Sequence, residues 1–253
     1  MTESQICDQD SHLPRGGLSV LSISKRFGNV QALDSLSLHV GHGEIVGLFG
    51  RDGAGKTVCF EAIMGLIAID AGQIVLNGRD ISRVTVDRRG PLGLAYLPQE
   101  PSIFRGMTTA ENISSMLEHT ESDEQARGRR LEDLLDEFSI DYVRDVPSQR
   151  LSGGERRRCE VARAMAAAPS IMLLDEPFAG IDPMSVTSIK STICQLRSMD
   201  VGILMADQNV HEAIQIVDRA YVIHLGKLIF EGKPDAMQAD HEVRRLYLGE
   251  DPL

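Results

Sequence analysis

Gly50, Gly55, Lys56 and Thr57 stand in the spacing Gly-x-x-x-x-Gly-Lys-Thr, within residues 50–58, GRDGAGKTV. Arg51, Asp52, Gly53 and Ala54 fill the loop, and Val58 follows it. This is the residue set that a bound polyphosphate requires. Successive backbone N–H groups can wrap phosphates only where no Cβ stands in the way. Lys56 would bridge the β- and γ-phosphates, and the Thr57 hydroxyl would ligate Mg²⁺. A second group lies at Leu173-Leu-Asp-Glu176. An apolar strand ending in acid puts Asp175 near Mg²⁺ and Glu176 beside the γ-phosphate, where it can orient and polarise a water. A third lies at Leu151-Ser-Gly-Gly-Glu155. Ser152 and Glu155 fit a capping box for a helix running to Ala168, and Gly153 and Gly154 leave its first-turn N–H groups open to an anion. One chain with two phosphate cradles points to a head-to-tail dimer, each copy completing the other's ATP site.

The elements that must position these groups are legible from periodicity. Residues 44–49 are a short apolar run read as a buried strand, and residues 58–66 read as a helix, so the glycines sit in a strand-to-helix turn. Residues 18–23 and 35–40 alternate apolar and polar, as half-exposed strands do. Further strands are expected at 73–77, 171–174, 203–206 and 220–225, with Gly226 turning a hairpin into 228–230. The run at 171–174 is uniformly apolar, as a central parallel strand should be. Residues 99–168 change character: Thr108-x-x-Glu111 and Ser122-x-x-Gln125 both fit capping boxes, giving an inserted helical subdomain. Asp182-Pro183 starts another helix.

Composition narrows the class. The 253 residues suffice for one large α/β domain carrying a subdomain. A net charge of −11 argues against nucleic acid or an anionic membrane as the main partner. No apolar run approaches the roughly 18 residues of a membrane span, so a membrane role must come through a partner protein. Cys7, Cys59, Cys159 and Cys194 show no paired spacing, the pattern of reduced cytosolic thiols. Residues 1–17 are polar and read as a mobile tail.

The P-loop, Gln99, LSGGE, Asp175-Glu176 and Ala179-Gly-Ile-Asp182, in this order, resemble the ATP-binding cassette (ABC) ATPases over nearly all of residues 18–253. The resemblance implies an α/β fold: a P-loop NTPase (RecA-like) core with an inserted helical subdomain, about 99–168, and an antiparallel β-subdomain. It implies ATP and Mg²⁺ as ligands and ATP hydrolysis coupled to transport. Phe27 would stack on adenine, the competing reading being a core Phe at a strand end. Gln99 would ligate Mg²⁺ with Thr57 and Asp175, and Asp182 would contact the opposite P-loop. Arg156, Arg157 and Arg158 point in different directions on a helix, so a solvated face with one or two ion pairs is expected.

Three positions depart from the family's pattern. Arg51-Asp52 stands where many relatives have Pro-Asn, bringing a carboxylate to the phosphates with Arg51 as a compensating charge. Val58 lacks the usual hydroxyl. Gln208, in Met205-Ala-Asp-Gln-Asn209, aligns with the switch histidine; an amide can donate to a γ-phosphate but cannot shuttle a proton.

Residues 97–105, 154–158 with 175–180, and the ending 247–251 look closest to the cytoplasmic ATPase of lipopolysaccharide exporters of Gram-negative bacteria. This implies a homodimer, peripheral on the cytoplasmic face of the inner membrane, beneath transmembrane permease subunits docking near Phe104 and Arg105. The ATPases of branched-chain amino acid importers are a sister group, some with Gln at the switch position. A non-transport cassette protein and a weakly hydrolysing paralogue are the remaining readings. For Phe104 the alternative to an exposed anchor is a ring folded back onto the following helix.

Overall fold

The computed structural model describes residues 16–248, apart from the side chains of Pro183 and Leu248. Residues 1–15, most of the expected tail and Cys7 with them, lie outside the described residues, as do positions 249–251 of the ending. Gly17, expected in the tail, is tied down: its N–H donates to Asn77 Oδ1 at 3.0 Å.

The first half of the chain runs β1 (Leu18–Phe27), β2 (Val30–Val40), β3 (Ile45–Phe49), α1 (Lys56–Met64), β4 (Ala71–Leu76), β5 (Arg79–Asp80), α2 (Val86–Arg89) and β6 (Leu94–Leu97). Three longer helices follow: α3 (Thr109–Thr120), α4 (Glu124–Glu137) and α5 (Gly153–Met165). The rest is β7 (Ile171–Asp175), α6 (Pro183–Ser198), β8 (Gly202–Ala206), α7 (Val210–Ala213), β9 (Arg219–His224), β10 (Lys227–Gly232), α8 (Pro234–Ala239) and α9 (His241–Val243).

Two sheets form. An antiparallel one has the order β2-β1-β4-β5; the larger has the order β10-β9-β3-β8-β7-β6, parallel from β9 to β6 with β10 antiparallel at its edge. Strands β3, β7 and β8 are buried at every residue, which is why they read as unbroken apolar runs. Their side chains alternate between two cores. Leu48, Leu173 and Leu204 join β1, β2 and Phe60 of α1. Phe49, Met172, Leu174, Ile203 and Met205 join the core of α3, α4, α5 and α6.

The structure corrects several local expectations. The alternation of β1 and β2 is broken at Ser22 (φ 47°) and Ser35 (φ 55°), where the pairing register shifts, so both strands run longer than their regular stretches. Thr108 does form a capping box with Glu111, but α4 is capped by Asp123, not Ser122. The Asp123 carboxylate accepts the Gln125 N–H at 3.0 Å and outcompetes a hydroxyl one residue earlier. The arginine triplet is not a solvated face throughout: Arg157 is buried in an ion pair with Glu160 at 3.0 Å.

The far end of α1 is held by Arg89, only 2 % exposed. Its guanidinium donates to the carbonyls of Ala62, Ile63 and Val84, meeting the negative end of the helix dipole. Gly65 is required beside it, since a Cβ there would lie 2.6 Å from Arg89 Nε. Arg89→Met leaves the Ile63 and Val84 carbonyls without their side-chain donor, the Ala62 carbonyl keeping the Gly65 N–H, and is expected to lower stability by about 1–3 kcal/mol. Urea unfolding measures this; a change within experimental error would remove Arg89 as the anchor of α1.

Candidate nucleotide site at the edge of the parallel sheet

Because β3, β8, β7 and β6 are parallel, the loops after them emerge at one edge, where ligands of open α/β sheets bind. The loop after β3 is Gly50–Gly55. Both end glycines are obligatory: Gly50 (φ 154°) would bring a Cβ to 2.4 Å from the Ile223 carbonyl, and Gly55 (φ 110°) to 2.6 Å from that of Ala32. Lys56 is folded over the loop, donating to the carbonyls of Gly50 at 2.6 Å and Arg51 at 3.2 Å. An open cleft of about 260 Å³ is lined by residues 52–58, Glu176, and Val30, Gln31, Ala32 and Leu225. Val30 and Leu225 present exposed apolar side chains to it. Sequence reasoning missed this rim, which combines the start of β2 with the β9–β10 turn.

The four loops are joined by one hydrogen-bonded chain. Gln208, after β8, donates through Nε2 both to Glu176 Oε1 at 2.9 Å and to Asp52 Oδ1 at 3.2 Å. Gln99, after β6, donates through Nε2 to Glu176 Oε2 at 2.7 Å. Arg51, read as compensating the Asp52 charge, instead turns to the C-terminal segment and donates to the Tyr247 carbonyl at 3.4 Å.

Two more acids end strands here. Asp175 accepts the Tyr96 hydroxyl at 3.3 Å. Burial pushes its carboxyl above the usual range, while Tyr96 and the Lys56 charge oppose the rise. Tyr96 itself packs edge-on against Phe60 of α1. Asp207, buried, accepts the Phe178 and Asn209 N–H groups at 3.0 and 2.7 Å and so fixes the turn that carries Gln208. Its carboxyl is raised chiefly by burial. Sequence reasoning assigned neither Tyr96 nor Asp207. Asp207 had a signal, since it ends an apolar strand just as Asp175 does.

Ser152–Gly154 does not line the P-loop cleft. Ser152 and Glu155 complete a capping box on α5, and Gly153 opens on a neighbouring cleft with Gln99, Glu176 and Gly180. Glu176 lines both clefts. Asp182 caps α6, accepting from Met184 and Ser185 N–H at 3.1 and 3.0 Å. Phe27 is 47 % exposed at the end of β1 with the Lys25 ammonium 5.3 Å from its ring centre, so it is no core residue. Phe104 is likewise 51 % exposed, with Arg163 of α5 stacked 4.8 Å from its ring centre. Its backbone is clamped: Asn112 Oδ1 accepts its N–H at 2.9 Å, and its carbonyl accepts from Asn112 and Ser148. Arg105 lines an adjoining groove with Pro101, Ile103, Ser148, Gln149 and Arg156.

Comparison with known proteins gives a consistent set. A family model described as ABC transporter matches residues 33–179. A probable ABC transporter ATP-binding protein of Azorhizobium caulinodans is 47% identical, over 96% of this chain and 87% of its own length. The lipopolysaccharide export system ATP-binding protein LptB of Haemophilus influenzae is 45% identical over 92% of this chain and 97% of its own; that of Escherichia coli K12 is 43% identical over 92% and 98%. The crystal structure of a nucleotide-free ATP-binding cassette from an ABC transporter superposes with a TM-score of 0.83 at 23% identity, covering 92% of this chain and 99% of that one. At that identity the likeness is one of fold.

The Tyr96–Asp175 contact generates a test. Tyr96→Phe removes a hydrogen bond to the ionised carboxylate, so Asp175 should titrate at higher pH than in the parent. The sign for stability follows. A carboxyl whose folded value is raised contributes stability below its unfolded value, about 4, and loses it as pH rises through the folded value. The substitution extends that loss upward. Carboxyl titration by ¹³C NMR checks it, and an unmoved Asp175 curve would detach Tyr96 from its ionisation.

Proposed function

The chain belongs to the ABC transporter family as an ATP-hydrolysing subunit, and we propose that two copies, head to tail, power lipopolysaccharide export through transmembrane partners on the cytoplasmic face of the inner membrane. The observation that carries the enzymatic part is Glu176, poised at the mouth of a glycine cradle and held by two amides. The choice of cargo is supported by the relatives named for lipopolysaccharide export, whose 43–45% identity runs over 92% of this chain. Among the described residues no helix is long and apolar enough to cross a membrane, which is consistent with a partner-borne membrane attachment.

ATP with Mg²⁺ supplies the phosphoanhydride bond and the cation that neutralises its charge. The residues present fit both. The loop closes so tightly at Gly50 and Gly55 that any Cβ would collide; the Ala54 N–H closes it internally on the Arg51 carbonyl at 3.0 Å, leaving backbone N–H groups of Gly53, Gly55, Lys56, Thr57 and Val58 for phosphate oxygens. Thr57, Asp175 and Gln99 offer oxygen donors, the set a hard divalent cation takes. Among the described residues no cluster of His, Cys, Asp or Glu could hold a metal alone, so the cation depends on phosphate oxygens as well. Lys56 must release the Gly50 and Arg51 carbonyls to reach the phosphates. Glu176 orients the attacking water and holds its proton on a carboxylate oxygen. Gln208, a neutral group at the switch position, steadies the Glu176 carboxylate through its amide. Phe27 covers the adenine. Ser152, Gly153 and Gly154 of one copy, with Asp182, close the site of the other; their position away from this chain's own P-loop cleft supports that role.

Glu176→Gln should keep ATP binding, lower turnover by roughly 10²–10⁴-fold, and accumulate an ATP-bound dimer on size-exclusion chromatography with Mg-ATP. Parent-like turnover would take Glu176 out of the mechanism, and a monomeric profile would count against the shared site.

Phe104 is the docking anchor of this reading, an exposed aromatic on a clamped backbone beside a groove. Phe104→Ala should leave thermal unfolding of the free subunit within about 0.5 kcal/mol and weaken assembly with the membrane subunits by ~2 kcal/mol. The purified complex should show ATPase stimulation by lipopolysaccharide. Stimulation instead by a branched-chain amino acid and its binding protein would replace the exporter reading with the importer one.

A further inference from the structure

Asp52 and Gln208, two departures from the family's pattern that lie 156 residues apart, meet in the folded chain. We infer that they are a matched pair: Asp52 is the positioning residue that holds the Gln208 amide against Glu176 for the chemical step. The inference rests on the reading of Gln208 as the residue at the switch position and extends it.

The geometry defines the role. An amide nitrogen carries two hydrogens, and both are used, one on Glu176 Oε1 and one on Asp52 Oδ1. The terminal torsion of a glutamine is broad, so a single bond to Glu176 would leave the amide free to turn. The second bond, from a loop built on the other side of β8, fixes its plane. The two carboxylates in turn are kept close by the donor between them. Among the described residues the Asp52 carboxylate is hydrogen-bonded by no charged side chain, and the adjacent Arg51 is engaged at Tyr247. A histidine at position 208 would not substitute in this setting. A neutral imidazole carries one N–H, and an imidazolium carries its two on separate ring atoms. Asp52 beside it would also stabilise the charged form and raise its titration. The carboxylate in the P-loop and the amide in the switch thus answer to each other, and a neutral switch results.

The experiment is a mutant cycle in the intact ATPase, read as kcat and KM for ATP and as a pH profile. Asp52→Ala should lower kcat roughly 5-fold, the worth of one hydrogen bond, without raising KM. Asp52→Asn keeps the acceptor oxygen and should restore kcat, with KM lowered because a negative charge leaves the phosphate site. Asp52→Ala combined with Gln208→Ala should be no slower than Gln208→Ala alone. Gln208→His should gain a titrating limb near neutrality that Asp52→Asn moves to lower pH. Equal, parent-like kcat in both Asp52 variants, multiplicative losses in the double variant, or a limb that Asp52→Asn leaves in place would each overturn the pairing. Gln208→Ala at full turnover would instead overturn the functional reading of residue 208, a result distinct from a slow Gln208→Ala with indifferent Asp52 variants.

Discussion

Strand order governs this structure. The sheet runs β3, β8, β7, β6, and the hydrogen-bonded chain at its edge runs Asp52, Gln208, Glu176, Gln99, one residue from the loop after each strand in the same sequence. Acceptor and donor alternate along it, so each carboxylate faces only amides and each amide faces only carboxylates. The backbone under Glu176 is held with equal firmness. Glu176 sits at φ 46°, a left-handed conformation unfavourable to a side-chain-bearing residue. Its N–H is bound to the Ala206 carbonyl at 2.7 Å, so β8 stabilises the turn after β7. Asp207 then ties the same turn through the Phe178 N–H. Strain at one residue is offset by these two neighbouring contacts, and the side chain, held by Gln99 and Gln208, is left with little freedom.

What was legible in the sequence is what is local. The P-loop, the Ser152–Glu155 capping box, the Asp182 cap and the buried strands ending in acid are each decided within a few residues, by backbone conformation and by periodicity. Where two local signals competed, proximity decided: Asp123 displaced Ser122 because its carboxylate reaches the Gln125 N–H. What was not legible depends on strand order. Nothing near Asp52 announces Gln208, and nothing near Asp175 announces Tyr96, 79 residues earlier. For Arg157 the expected ion pair is present, one turn along the helix, but its burial was not legible, since it depends on the segment after β6 that covers it. Its helical neighbours suggest an exposed face, but the side chain turns inward to Glu160 and to the Pro98 carbonyl.

Arg157, buried, and Arg163, half-buried, bear on how a membrane partner would be felt at the nucleotide. Residues 98–104 carry Gln99 at one end and Phe104 at the other, and α5 grips them along their length. Arg157 donates to the Pro98 carbonyl at 3.3 Å, Glu160 accepts the Ser102 N–H at 2.9 Å, and Arg163 binds the Ser102 carbonyl and hydroxyl while stacking on Phe104. Breaking a buried charged contact of this kind leaves an uncompensated partner and is costly. A displacement imposed at Phe104 is therefore more cheaply met by moving the segment and α5 together than by tearing them apart. The N-terminus of α5 is Ser152–Gly154, and the start of the segment is Gln99, bound to Glu176. On the proposed reading, one rigid unit would carry the docking anchor, the group that steadies the catalytic carboxylate and the surface offered to the other copy. Movement at the membrane would then reach both ATP sites through a single body, with no need for a relay of separate side-chain shifts.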